Sequence, residues 1–165
     1  MSKNNRVQLE NDFIMMIKEN ERIIYKACSF YISEFSPMED LYQETILNLW
    51  RAYPKFRNES SYSTWIYRIA LNTCISELRK TSKYRRHVQL SFSDEIAFEP
   101  DSFADDLKTL YRLIYSLEKL ERAIILLWLE EKSYQEIADI TGLSLSNVAT
   151  KLKRIKEKLK NISNQ

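Results

Sequence analysis

The stretch Ser133-Tyr-Gln-Glu-Ile-Ala-Asp-Ile-Thr-Gly142-Leu-Ser-Leu-Ser-Asn-Val148 holds the only glycine of the chain, set between two short amphipathic segments and ahead of a strongly basic one. Glycine adopts positive φ without steric cost, so Gly142 suits the left-handed residue that ends one helix and lets the next leave at a steep angle. Small Ala138 lets the two helices approach, and Ile137, Leu143, Val148 and Leu152 supply the apolar side of the corner. Ser133 with Glu136 makes a capping-box pattern for the first helix, and Ser144 or Ser146 can cap the second. The pattern predicts a helix-turn-helix of the DNA-binding kind.

Assigning Val148, Leu152, Ile155 and Leu159 to a buried stripe leaves Ser146, Asn147, Ala149, Thr150, Lys151, Lys153 and Arg154 facing outward. Short hydroxyl and amide side chains near a helix N-terminus reach base edges in a major groove, while Lys151, Lys153, Arg154, Lys156 and Lys158 can neutralise phosphates.

Composition narrows the rest. A chain of 165 residues makes one ordinary domain or two small ones, and one glycine with three prolines leaves little material for tight β-turns, so the expected class is all-α. The net charge of +2 hides its distribution. Five of the eight residues from Arg79 to Arg86 are basic, Ser91 to Asp106 carries six acids and no base, and the C-terminal helix is basic again. Cys28 and Cys74 lie far apart without metal-ligand spacing and His87 is the only histidine, so no metal or cofactor is expected and both thiols are assigned to the core. No signal-peptide region and no bilayer-length apolar run is found, which predicts a protein of the reducing cytoplasm.

In the N-terminal part, Phe13, Ile17, Ile24, Ala27, Tyr31 and Phe35 recur at helical spacing from about Val7 to Phe35, predicting one long helix or two in line that end near Ser36-Pro37. Met38, Leu41, Tyr42, Thr45, Ile46, Leu49, Trp50 and Tyr53 then form one buried stripe. The remaining face carries Glu39, Asp40, Gln43, Glu44, Leu47, Asn48 and Arg51, an acidic patch around a leucine that the stripe does not need. Pro54 closes this helix, and a polar loop leads to a third helix, capped by Ser63 or Thr64 and running to about Lys80. Its Ile66, Ile69, Ala70, Cys74 and Leu78 can pack inward, while Trp65, Arg68, Asn72, Ser76 and Arg79 project together, with Tyr62 and Tyr67 extending that surface. An aromatic ring among arginines and amides can stack on an unpaired base, and equally Trp65 and Tyr67 can be core aromatics.

Glu39-Asp-Leu-Tyr-Gln-Glu-Thr-Ile-Leu-Asn-Leu-Trp50, then Phe56, then Ser63-Thr-Trp-Ile-Tyr-Arg-Ile-Ala-Leu-Asn-Thr73, then Leu120 to Leu159 resembles a minimal bacterial sigma factor of the extracytoplasmic-function group. The resemblance covers roughly Phe13 to Lys160. It implies a helical region 2 over residues 1–84 that binds the polymerase clamp and melts the upstream promoter hexamer, an acidic linker over 85–106, and a four-helix region 4 over 107–165 that binds duplex DNA. Carried across, Glu39, Asp40, Gln43, Glu44, Leu47 and Asn48 fall where the family binds polymerase. Arg57, Asn58, Ser60, Ser61 and Tyr62 match the loop that captures a flipped base, followed by Trp65, Arg68 and Asn72 on the strand-binding helix. Ser144, Ser146, Asn147, Thr150, Lys151, Lys153 and Arg154 match the duplex-binding set, although Ala149 stands where the family often has a cation. Leu107, Leu110, Tyr111, Ile114 and Leu117, followed by Ile124, Leu127 and Trp128, would pack behind the helix-turn-helix. The implied partners are core RNA polymerase, promoter DNA and an anti-sigma protein, often membrane-bound in this family; the free chain would be a monomer.

Two readings from other classes stand against this one. A free-standing regulator would bind duplex DNA as a dimer without polymerase. An enzyme acting on nucleic acid would need paired carboxylates, a histidine set, a nucleophile motif or a phosphate-cradling glycine loop, none of which occurs, so no catalytic residue is assigned.

Overall fold

The computed structural model describes residues 3–85 and 102–163. Among these are seven α-helices and no strand, and the chain divides into two compact units, Met1–Leu78 and Arg79–Gln165. The all-α expectation holds.

The first unit is built from α1 (Lys3–Ser29), α2 (Met38–Ala52) and α3 (Tyr62–Arg85) as far as Leu78, with a single 3-10 turn at Tyr53–Lys55. Helix α1 has no glycine or proline, and buries Phe13, Met16, Ile24, Ala27 and Cys28 along one side. It stops at Ser29 and does not reach Phe35 as the apolar spacing predicted; Phe35 is 44% exposed. The cause is local: Ser29 Oγ donates back to the Lys26 carbonyl at 2.8 Å, and the Ser33 and Ser36 backbones exchange hydrogen bonds of 3.1 and 3.0 Å. Pro37 then disfavours helical φ/ψ at Ser36 and caps α2 from an extended conformation.

Helix α2 buries Leu41, Thr45 and Leu49 in steps of four, and the rings of Trp50 and Tyr53 meet Phe13 edge-on at 5.0 and 5.2 Å. Helix α3 begins two to three residues earlier than the Ser63 or Thr64 cap predicted, because Ser61 Oγ accepts from the Thr64 N–H at 3.2 Å and the Ser61 carbonyl accepts from the Trp65 N–H at 3.1 Å. It buries Ile66, Tyr67, Ala70, Leu71 and Cys74.

The second unit comprises α4 (Ser102–Tyr115), α5 (Lys119–Leu129), α6 (Tyr134–Thr141) and α7 (Leu145–Ser163). Both ends of the expected 85–106 connector are therefore helical; residues 86–101, with Phe92, Ile96, Phe98 and Pro100, lie outside the described residues. Helix α5 is the central element, with Ala123 to Leu127 all buried. Arg122 ties it to the end of α4, donating to the carbonyls of Leu117 at 3.0 Å and Tyr115 at 2.8 Å, with its guanidinium 4.7 Å from the Tyr115 ring centre. Lys158 of α7 reaches Glu121 of α5 at 3.3 Å. Two residues expected behind the helix-turn-helix are not fully used there: Leu110 and Trp128 are exposed, and Trp128 carries the Lys156 ammonium 3.8 Å above its ring.

The turn between α6 and α7 follows the sequence expectation closely. Gly142 has φ 74 and ψ 14, and its N–H donates to the Ala138 carbonyl at 2.8 Å. The α5 to α6 turn has the same left-handed geometry with Glu131 at φ 58, where the N–H groups of Glu131 and Lys132 donate to Trp128 and Leu127. An atom added at Gly142 would meet nothing within 4 Å, so the cost of Gly142→Ala is backbone strain alone. That substitution is expected to destabilise the unit by about 1 kcal/mol, and Glu131→Gly to stabilise it by a similar amount, each read from urea denaturation midpoints at constant slope.

Candidate nucleic-acid interface

Three surfaces carry the residues singled out by sequence, two in the first unit and one in the second. On α2, Glu39, Asp40 and Gln43 are exposed and Leu47 stands 45% exposed among them. The helix dipole favours Glu39 and Asp40, which occupy its first turn. Glu44 is half-buried and lies 3.9 Å from Arg51. Asn48 is turned differently: its amide donates to Thr73 Oγ1 of α3 at 3.1 Å and its carbonyl accepts from Arg51 at 3.2 Å, so it anchors α2 to α3.

The second surface joins the loop after α2 to the start of α3. Arg57, Asn58 and Ser60 are exposed, and Asn58 takes φ 56, a left-handed conformation that asparagine tolerates better than most residues. Ser61 is spent as the helix cap. Tyr62 is 37% exposed; one face of its ring stacks on Phe56, with centroids 4.9 Å apart and planes 29° from parallel. Trp65 is half-buried, 4.9 Å from Phe56 and 6.3 Å from Tyr53. Burial, and next a hydrogen bond with Tyr62, push the Tyr53 phenol up to about 12. Phe56 and Tyr53 thus set the Tyr62 ring in place, a role that sequence reasoning did not assign; the signal was the aromatic spacing around Pro54. Arg68 and Asn72 follow on the exposed side of α3.

Tyr67 does not extend this surface: it is 1% exposed, inside the unit. The reason is angular, since residues two apart on an α-helix point about 200° from each other, so Trp65 and Tyr67 occupy opposite sides.

The third surface is the start of α7. Ser144 is the cap, its Oγ accepting from the Asn147 N–H at 3.3 Å and lying 3.3 Å from Ser146 Oγ. Thr150 Oγ1 donates to the Ser146 carbonyl at 2.9 Å, which leaves its methyl and lone pairs for contact. Asn147, Lys153 and Arg154 are exposed and Lys151 is half-buried. Lys156 and Lys158, also read as phosphate neutralisers, are instead occupied by Trp128 and Glu121. Preceding it, α6 is held by the reciprocal Ser133 and Glu136 capping box; the Ser133 backbone N–H, and then its hydroxyl, hold the Glu136 carboxyl below its ordinary range.

Two family models match the chain. The family model described as Sigma-70 region 2 matches residues 16–84, and that described as Sigma-70, region 4 matches residues 107–159. RNA polymerase sigma factor YlaC of Bacillus subtilis is 32% identical over 130 residues, 74% of this chain and 75% of that protein. The chain belongs to the sigma-70 family, in the extracytoplasmic-function group to which its sigma-E relatives belong. The ECF RNA polymerase sigma-E factor of Salmonella typhi is 31% identical over 162 residues, covering 85% of this chain and 82% of the relative. Among solved structures, the sigma factor RpoE from Bartonella quintana, crystallised with the anti-sigma factor NepR, has the same fold at a TM-score of 0.72 and 23% identity, covering 89% of this chain and 95% of that one. As a sigma factor, the chain binds core RNA polymerase and directs promoter recognition, DNA melting and transcription initiation. Sigma factors are initiation factors, and the chemistry of RNA synthesis is the core enzyme's. No helix among the described residues is long and apolar enough to cross a membrane.

Proposed function

We propose that the work of initiation is divided along the chain, with residues 1–84 binding polymerase and opening the strand, 85–106 connecting, and 107–165 holding duplex DNA. The polymerase-binding face is Glu39, Asp40, Gln43 and Leu47 with Glu44 beside them, and Asn48 supports it from behind through Thr73. Arg57, Asn58, Ser60 and Tyr62 with Trp65, Arg68 and Asn72 take the unpaired promoter strand, Ser61 shaping the loop as a cap. The start of α7 reads the distal element. This work would be done in the cytoplasm by a chain that is monomeric when free, and an anti-sigma protein, membrane-bound or not, would silence it by covering these faces.

The observation that carries the reading is Leu47, an apolar side chain 45% exposed inside an acidic helix face that the core does not require. Asp40→Ala with Leu47→Ala is accordingly expected to weaken binding to core polymerase by more than about tenfold while leaving the fold intact, the stability changing by no more than the ~0.3–1 kcal/mol that the helix dipole gains from Asp40. A fall in melting temperature larger than that would place the pair in the fold instead. The functional test is run-off transcription by core polymerase over a random promoter library. Transcripts that depend on the added chain support the reading; duplex binding without such transcripts would favour a stand-alone regulator.

A further inference from the structure

The chain has two cysteines, 46 positions apart, and the packing of the first unit brings them face to face. Cys28 of α1 and Cys74 of α3 are both fully buried, with their sulfurs 3.8 Å apart and the Cys74 thiol donating to Cys28. Thr45 Oγ1 of α2 lies 3.8 Å from the Cys28 sulfur, so all three helices of the unit meet at this point. A single buried cysteine is a small apolar residue that needs no further account. Two that face one another, in a chain with no third thiol, carry a reaction that neither has alone.

We propose that Cys28 and Cys74 form an oxidisable dithiol, a modification site that two-electron thiol oxidants of the peroxide class convert to an intramolecular disulfide. The surroundings order the two thiols. The hydrogen bond from Cys74 lowers the Cys28 pKa against the opposing effect of burial, with Thr45 helping, whereas donating to Cys28 and then burial raise Cys74. With the Cys74 thiol donating to it, Cys28 is the sulfur placed to react first as the unit opens. Its thiolate attacks one peroxide oxygen, the O–O bond breaks, the departing oxygen takes a proton to become water, and Cys28 is left as sulfenic acid. The Cys74 sulfur then attacks the Cys28 sulfur, the S–O bond breaks, and the leaving hydroxide takes the Cys74 proton as a second water. One peroxide is reduced to two waters and two thiols are oxidised to one disulfide.

Closing the sulfurs to a bond of roughly 2.05 Å asks for a displacement of roughly 1 Å from each side chain. Because both thiols are shielded from solvent, oxidation proceeds through local opening of the unit and is slower than at a surface thiol. Once made, the bond ties α1 to α3 beneath α2 and restricts the unfolded chain.

The full-length reduced protein is exposed to hydrogen peroxide, quenched, denatured, and examined by thiol titration and intact-mass measurement. The expected result is loss of both thiols together with two hydrogens per chain, without dimers, and a linked peptide pair containing Cys28 and Cys74. The melting temperature is expected to rise by about 5 °C or more and to fall back with dithiothreitol. Cys74→Ala should stop at a Cys28 sulfenic acid that dimedone traps. Two thiols still titratable after denaturation, oxidation only to dimers or sulfinic acid, or an unmoved melting temperature would each overturn the proposal, and the wild-type measurement decides it even if the variant does not fold.

Discussion

Alanine at both Tyr62 and Trp65 is expected to leave polymerase binding intact while open-complex formation collapses. Both rings lie on the first turn of α3, whereas Asp40 and Leu47 are exposed on a different helix, α2. Stacking an unpaired base on an aromatic ring contributes about 1–3 kcal/mol, so the loss of one platform slows opening roughly 5- to 150-fold. The two positions are not equivalent. Trp65 is half-buried against Phe56 and Tyr53, and its removal also opens a void, whereas Tyr62 is exposed and has one ring face on Phe56. Tyr62→Ala is therefore the sharper variant, and Tyr62→Phe, which keeps the ring and loses only the hydroxyl link to Tyr53, should open promoters within about twofold of wild type. A fluorescent base analogue placed in the upstream hexamer reports opening directly. Normal opening by Tyr62→Ala would remove the ring from the mechanism.

The helix-turn-helix could be read from the sequence because its determinants are local. Gly142 must be left-handed, Ser133 and Glu136 cap each other across one turn, and Val148, Leu152 and Ile155 repeat at the helical period; the structure has all three features. The boundaries of α1 and α3 were harder. Phe35 continues the apolar spacing of α1 in number, yet serines at 29, 33 and 36 redirect the backbone hydrogen bonds and end the helix six residues sooner. Periodicity registers side chains; it does not see competition for the main chain.

What depended on distant partners was not legible. Cys28 and Cys74 looked unrelated because sequence separation carries no information about the angle at which α1 and α3 cross. Asn48 looked like one more outward polar residue on α2 until Thr73 met it from α3. Lys156 and Lys158 belonged by composition to a basic face, but Trp128 and Glu121 of α5 claim them. In each case a third element decides what a helical wheel leaves open, and the effect is to thin the candidate surfaces to fewer, better-placed side chains.

That thinning sharpens what to expect of α7. With Lys156 lying over the Trp128 ring and Lys158 paired with Glu121, phosphate contact falls first to Lys151, Lys153 and Arg154. Replacing those three by alanine should lower duplex affinity evenly across sequences and reduce the slope of log affinity against log salt by roughly 2 to 3, since each phosphate contact contributes about 0.9 to it. Base reading should behave differently. The Ser144 hydroxyl is held by the cap and that of Thr150 by the Ser146 carbonyl, which leaves the exposed Asn147 amide as a two-sided donor and acceptor on the outer face. An amide can bond an adenine edge through both atoms, and such a pair discriminates by about 1–3 kcal/mol. Asn147→Ala is thus expected to flatten the preference at one base pair of the distal element while the salt slope stays as in wild type. A salt slope that drops in Asn147→Ala, or a sequence preference that changes in the triple variant, would reverse the two roles, because phosphates carry charge without sequence and base edges carry sequence without net charge.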